Sequence, residues 1–295
     1  MLYNYSPLRY PGGKACLSRF LESLARTNHL VGGTYCELYA GGAGAALNLL
    51  FNNIFERIHI NDADYSIYSF WDAILNHTES FIEKINEAEI TITEWIIQKE
   101  IFKGGRANSV LDLGFATFFL NRTNRSGIIF KAGPIGGYNQ EGNYKIDVRF
   151  NKEDLIRRIR NIAERRNYII LTNEDAVNII NNIGTYHHEL ENLLVYLDPP
   201  YYKKGKTLYL NNYNHSDHLT LSNAVENLED IQWLISYDNV PEIREMYTEC
   251  RMSTFDLNYT LQEKKSGNEL LIFSKNLILP PSIEVNKRTN QLVLL

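Results

Sequence analysis

Five apolar residues in a row, Leu193–Leu197, stop at Asp198-Pro199-Pro200-Tyr201. A short apolar run of this kind reads as a buried strand, and the prolines end it because proline cannot donate to a ladder. The Asp198 carboxylate and the Tyr201 ring are therefore presented at a strand's carboxyl edge. In open α/β sheets, ligands bind at that edge. An acid, a turn with a free carbonyl at Pro199 and a flat ring suit an exocyclic amine on a planar base. Taken alone, the tetrapeptide leaves the plainer reading open, in which Pro-Pro ends a strand and Tyr201 simply packs.

The rest of the chain supports a sheet flanked by helices. Thr34–Leu38 is β-prone, residues 40–44 form a glycine-rich turn, residues 45–50 start a helix, and Arg57–Asn61 alternates like a second strand. Asp64 or Ser66 can cap a helix running through Leu75. The α/β pattern resumes with a strand at Tyr168–Leu171, a helix near residues 175–182 and the strand that ends at Asp198. A further strand is expected at Trp233–Tyr237, with a closing hairpin built from residues 254–259 and 270–274. Between the two α/β parts, residues 76–165 read as mostly helical, broken by a polar, glycine-rich stretch from Ser126 to Tyr144. Irregular stretches of that length inside a compact domain usually carry function. The expected division is a sheet domain from 1–75 and 166–295, with 76–165 inserted.

Charge distinguishes the insertion. The whole chain of 295 residues has a formal net charge of -5, yet from Lys103 to Arg166 thirteen Lys and Arg face six Asp and Glu. A local excess of positive charge is the footprint of a nucleic-acid surface. Residues 157–166 alone fit a solvated helix face equally well. Cys16, Cys36 and Cys250 are scattered without metal-ligand spacing, and neither His187-His188 nor His215 with His218 has partner ligands at motif spacing, so no metal is expected. No apolar run approaches the roughly 20 residues of a membrane span. With no signal-peptide pattern at Met1-Leu2-Tyr3-Asn4, the chain reads as cytoplasmic.

Glycines 41, 42 and 44 let a ligand approach the main chain, and Asp62 ends the next strand, where an acid accepts ribose hydroxyls in dinucleotide-type folds. Ala43 stands where a phosphate-cradling loop would want glycine, and no basic residue follows. A nucleoside without phosphates fits better than NAD. Near the start, Tyr10-Pro11-Gly12-Gly13-Lys14 precedes a helix through Leu24. A lysine at a helix beginning meets the positive end of the macrodipole, so a partner such as a ligand's carboxylate is expected for Lys14.

In chain order these segments resemble the Dam-type family of DNA adenine-N6 methyltransferases. Tyr10–Lys14 is similar to its aromatic-x-Gly-Gly-Lys element, and Glu37–Gly44 to its F-x-G-x-G cofactor loop, with Tyr39 for the Phe and Ala43 for the last Gly. Asp62 resembles the ribose acid, Phe118–Arg122 the opening of the recognition region, and Asp198–Tyr201 the catalytic tetrapeptide. The resemblance implies a Rossmann-like doubly wound sheet of the class I methyltransferase kind with a mainly helical inserted DNA-recognition domain. It implies S-adenosylmethionine over the glycine loop at Glu37, Tyr39 and Gly41, with Tyr10 against the cofactor and Lys14 near its carboxylate. Asp62 would hold the ribose, Asp175 the adenine amine, and Asp198 would bridge cofactor and target. Double-stranded DNA is the implied partner, joined by a cognate restriction endonuclease where such a chain serves restriction-modification.

The chemistry suits the residue types. Adenine's exocyclic nitrogen is a poor nucleophile because its lone pair is delocalised, so its hydrogens need acceptors such as Asp198 and the Pro199 carbonyl. Tyr201 supplies a face for a base taken out of the stack. The same tetrapeptide suits cytosine N4 or adenine in RNA, and an inactive DNA-binding relative is a further reading. Arg122, Arg125, Lys131 and Arg149 are the candidate DNA contacts, arginine suiting guanine in the major groove. Residues 123–137 differ from the hairpin of GATC-reading members, which leaves the recognition sequence open.

Overall fold

A computed structural model describes residues 5–9, 13–203, 213–260, 264–280 and 293–294, giving the backbone alone for 255–260, 264–268 and 293–294. Among the described residues the central sheet has eight strands: β1 Thr34–Glu37, β2 Arg57–Asn61, β3 Ile169–Thr172, β4 Leu193–Leu197, β5 Gln232–Asp238, β6 Arg251–Thr260, β7 Lys264–Phe273 and β8 Val293–Leu294. They lie in the order β3-β2-β1-β4-β5-β7-β6-β8. The first five are parallel, and β7 enters antiparallel between β5 and β6. The chain builds outward from β1 through β2 to β3, then returns to place β4 on the other side of β1. The topological switch point is thus the crevice between β1 and β4, where doubly wound sheets hold their ligands.

Burial on both faces follows from the apolar runs. In β4, Leu194 and Tyr196 join one core, and Leu193, Val195 and Leu197 join the other. The first face is covered by α1 Ser18–Thr27, α2 Gly44–Phe51 and α3 Tyr65–Asn76, through residues such as Phe20, Leu47 and Trp71. The second is covered by α8 Ala176–Asn181 and by helices His215–Glu226 and Pro241–Met246, through Ile179, Leu221 and Ile243. As expected, Asp64 caps α3, its carboxylate accepting from the Ser66 N–H at 2.8 Å.

Between β2 and β3, after α3, come α4 Thr78–Glu87, α5 Ile92–Gly104, α6 Val110–Thr123 and α7 Lys152–Ala163. These helices join the first core rather than building one of their own. Phe81, Phe115, Phe118 and Phe119 pack with Phe70 and Trp71 of α3, the Phe70 and Phe118 rings stacking at 5.9 Å. The crossing of α3 and α6 is close because of Gly114, where a Cβ would lie 2.4 Å from the Ser69 carbonyl oxygen.

Candidate active site

The carboxyl ends of β1, β2 and β4 open into one cleft. Its lining includes Lys14, Glu37, Tyr39, Gly42, Ala43, Gly44, Asp62, Asp64, Asp175, Asp198 and Tyr213. Six of the residues expected at a cofactor site, 14, 37, 39, 62, 175 and 198, therefore meet here. Tyr10 lies outside the described residues.

The glycine-rich turn shapes the floor. Gly41 and Ala43 both have left-handed φ of 46°, costly for a non-glycine residue, and α2 begins directly after with its N-terminus toward the cleft. Gly41 stands behind the lining, donating its N–H to Asp62 at 2.8 Å and accepting the Trp71 indole N–H at 2.9 Å. Asp62 also accepts from the Asp64 N–H at 2.9 Å. Burial, then the charge of Asp64, pushes the Asp62 carboxyl up to about 7 against the pull of those two N–H groups. Glu37 accepts the Ala46 N–H at 3.0 Å in the first turn of α2, and burial pushes its carboxyl up to about 8. Asp175 caps α8 by accepting the Val177 N–H at 2.8 Å and also lines the cleft. Tyr39 and Tyr213 share a 2.8 Å hydroxyl contact at the far wall.

Asp198 is held at both oxygens. The Lys14 ammonium donates to Oδ2 at 2.8 Å and the Ser236 hydroxyl to Oδ1 at 2.6 Å. Having one proton, Ser236 must accept from the Tyr196 hydroxyl, 2.8 Å away. Lys14 is 4 % exposed and lies 3.8 Å from Glu269, itself fully buried. Where a ligand's carboxylate was expected to face Lys14, the structure places the Asp198 carboxylate of the chain itself. Register explains Ser236: Leu197 pairs with Ile235, which sets Ser236 beside Asp198. Two residues on, Asp238 accepts the N–H groups of Tyr202 and Lys203, both at 2.9 Å, and fixes the turn beyond Pro200. Pro199 is buried within this turn.

The Tyr201 ring sits beneath Lys14, whose Nζ is 5.2 Å from its centroid. It is 9 % exposed, so a base reaches its face only after a local shift. Burial, then the charges of Asp198 and Glu269, drives its phenol well above the ordinary range.

The four basic candidates are not brought to one place. Arg122 is tied to main chain, donating to the Arg149 carbonyl through Nε at 2.7 Å and through Nη2, and to the Pro7 carbonyl at 3.3 Å. Burial, then the charges of Arg9 and Arg158, disfavours its own charge. Arg149 is exposed. Arg125 borders a surface hollow with residues 135–144. Lys131 borders another, basic and aromatic, with Tyr65, Trp95, Lys99, Lys103 and Arg106, and Asp64 joins that hollow to the cleft. There Arg106 lies 3.7 Å over the Tyr65 ring and Lys99 4.5 Å over Trp95.

Sequence reasoning missed Ser236, Asp238 and Glu269. A signal existed in Ser236 and Asp238, two polar side chains at alternate positions near the end of an otherwise apolar strand. It also missed the role of Asn121, whose side chain pairs with both the N–H (2.7 Å) and the carbonyl (3.0 Å) of Arg9 and so ties α6 to the N-terminal segment.

A doubly wound sheet whose switch-point cleft joins a glycine turn, a strand-end acid and Asp-Pro-Pro-Tyr defines a methyltransferase acting on an amine. Residues 10–261 match the family of D12 class N6 adenine-specific DNA methyltransferases, and the chain belongs to that family. It is an enzyme of the kind that methylates adenine N6 in DNA, which favours that target over cytosine N4 and adenine in RNA. No curated protein sequence matches the chain.

Proposed function

We propose that the methyl donor is S-adenosylmethionine, bound in the cleft between β1 and β4, and that the enzyme acts on adenine flipped from a double-stranded site. The observation that carries this reading is the convergence of Asp62, Asp175, Glu37 and Asp198 on one cleft beside the glycine turn. When bound, the cofactor supplies an electrophilic methyl on a sulfonium. Asp62 accepts the ribose hydroxyls, Asp175 accepts the adenine amine, and Tyr39 and Gly41 shape the wall and floor. Lys14 borders the methionine end, and the family resemblance assigns Tyr10 to the cofactor as well.

Asp198 and the Pro199 carbonyl accept the hydrogens of the target amine, which localises its lone pair toward the methyl. Lys14 and Ser236 fix the carboxylate in position; the N–C bond would form at the expense of the donor's S–C bond, and the amine's surplus proton would pass by way of the Asp198 carboxylate to solvent. Tyr201 stacks on the extruded base, an interaction worth roughly 1–3 kcal/mol per base. Arg125, Lys131 and Arg149 touch DNA, the hollow around Lys131 lying next to the cleft, while Arg122 braces the main chain at Arg149 and Pro7. The 76–165 segment is the target-recognition part and 1–75 with 166–295 the catalytic part. A cytoplasmic location and a cognate restriction endonuclease fit this activity.

Expression in methylation-free bacteria, followed by sequencing of the genome for modified bases, tests the reading. N6-methyladenine confined to one short sequence is the expected result. Modification scattered without sequence context would contradict the site-specific reading, and modified cytosine would contradict the target.

A further inference from the structure

Outside the cleft, three buried ligand atoms converge on the other core of the sheet. Cys36 and His59 are register partners on the adjacent strands β1 and β2, and His187 follows α9 Ile183–Tyr186. The Cys36 Sγ is 3.5 Å from the His59 Nδ1, which is 3.0 Å from the His187 Nε2, and the three atoms lie within 4.8 Å of one another. None of the three residues lines the cleft.

The tautomer of His59 follows from its neighbours. The Glu174 N–H donates to the Asn61 Oδ1 at 2.9 Å, which fixes that oxygen as an acceptor. Thr172 therefore gives its one hydroxyl proton to the same Oδ1, at 2.8 Å. Its oxygen must then accept from the His59 Nε2–H, also at 2.8 Å. With Nε2 as the donor, the other nitrogen of the neutral imidazole, Nδ1, carries a bare lone pair. One lone pair thus faces both a thiol and a second imidazole, more candidates than it can serve as an acceptor.

We propose that Cys36, His59 and His187 form a buried binding site for a zinc-type cation. One thiolate with two imidazoles suits zinc rather than magnesium or calcium, which prefer oxygen. With Zn–S of about 2.3 Å and Zn–N of about 2.0–2.1 Å, adjacent ligand atoms of a tetrahedral ion stand roughly 3.3–3.6 Å apart. The Cys36–His59 spacing matches, and the His59–His187 spacing needs to open by a few tenths of an ångström. Water takes the fourth position, and the Cys36 proton passes to solvent on binding. The Thr172 oxygen accepting the His59 Nε2–H is the outer-shell partner that metal-bound histidines carry. The ion would join two central strands to the crossover that begins at Asp175. Such ligands share no spacing in the chain, so no motif announces them.

Cobalt(II), a spectroscopic stand-in for zinc, tests the site on metal-stripped full-length protein. One equivalent is expected to bind with a thiolate-to-metal charge-transfer band, and that band should survive in Cys16→Ser/Cys250→Ser. In Cys36→Ser or His187→Asn, affinity should fall at least about a hundredfold, and Thr172→Val should weaken it about 10- to 100-fold. Zinc should raise the melting temperature of wild type. Absence of the band in wild type, or its loss in Cys16→Ser/Cys250→Ser, would overturn the proposal and leave the three residues a hydrogen-bonded cluster. Those two measurements decide even if Cys36→Ser does not fold.

Discussion

Asp198 is useful only if its two oxygens stay where the target amine needs them, and Ser236 is the smaller of its two anchors. Ser236→Ala removes the donor to Oδ1 and frees the carboxylate to rotate about Lys14. Misplacement of that order costs roughly 10- to 100-fold in rate. Steady-state kinetics should show the loss in kcat, with KM for the cofactor little changed, and an equal effect on both would argue against a positioning role. Asp62 makes a pH prediction. Its carboxyl, raised to about 7 in the fold, has an unfolded value of roughly 3.9. The stability it contributes is full below the unfolded value and is lost as pH rises through about 7. Ribose hydroxyls donate to the ionised form, so cofactor binding should tighten between pH 6 and 8 and release a proton below 7. Calorimetry in buffers of different ionisation enthalpy measures that proton, and Asp62→Asn should abolish both effects.

Elements show which parts of the fold could be read locally. β2 spans the expected Arg57–Asn61, and α3 starts at the Asp64 cap, because alternation and capping are written within a few residues. The helix His215–Glu226 was not expected, although its reciprocal Asn214–Asp217 capping box is a local signal. Contacts made by register were not legible. Ser236 meets Asp198, and Glu269 nears Lys14, only once β5 pairs β4 and β7 pairs β5. The same holds for Arg122, where sequence suggested a DNA contact and packing supplies main-chain carbonyls. Whether the 76–165 helices would stand apart or share the sheet's core was equally invisible, since it rests on Gly114 meeting Ser69 across two helices. Gly114→Ala forces a Cβ against a backbone carbonyl, an overpacking cost of about 1–3 kcal/mol. Denaturant unfolding should show one cooperative transition at lower midpoint; two separate transitions would contradict the shared core.

Across the whole molecule, a chain of net charge -5 must approach a polyanion through its basic segment. Removing one cation that neutralises a phosphate should reduce the slope of log K against log salt by about 1. Substituting Arg125, Lys131 or Arg149 by alanine should flatten that slope, whereas Arg122→Ala should lower the melting temperature first. Binding isotherms over a salt series separate the two outcomes. Among the described residues no helix is long and apolar enough to cross a membrane.

Methyl transfer to adenine through Asp198 is the centre of this account, and single-turnover methylation of a duplex carrying the enzyme's own site measures it most directly. With Asp198→Ala saturated in cofactor and DNA, the rate of N6-methyladenine formation should fall at least about a hundredfold, as for loss of a transition-state acceptor. Binding of the duplex should persist. Near-wild-type turnover by that folded variant would contradict the account.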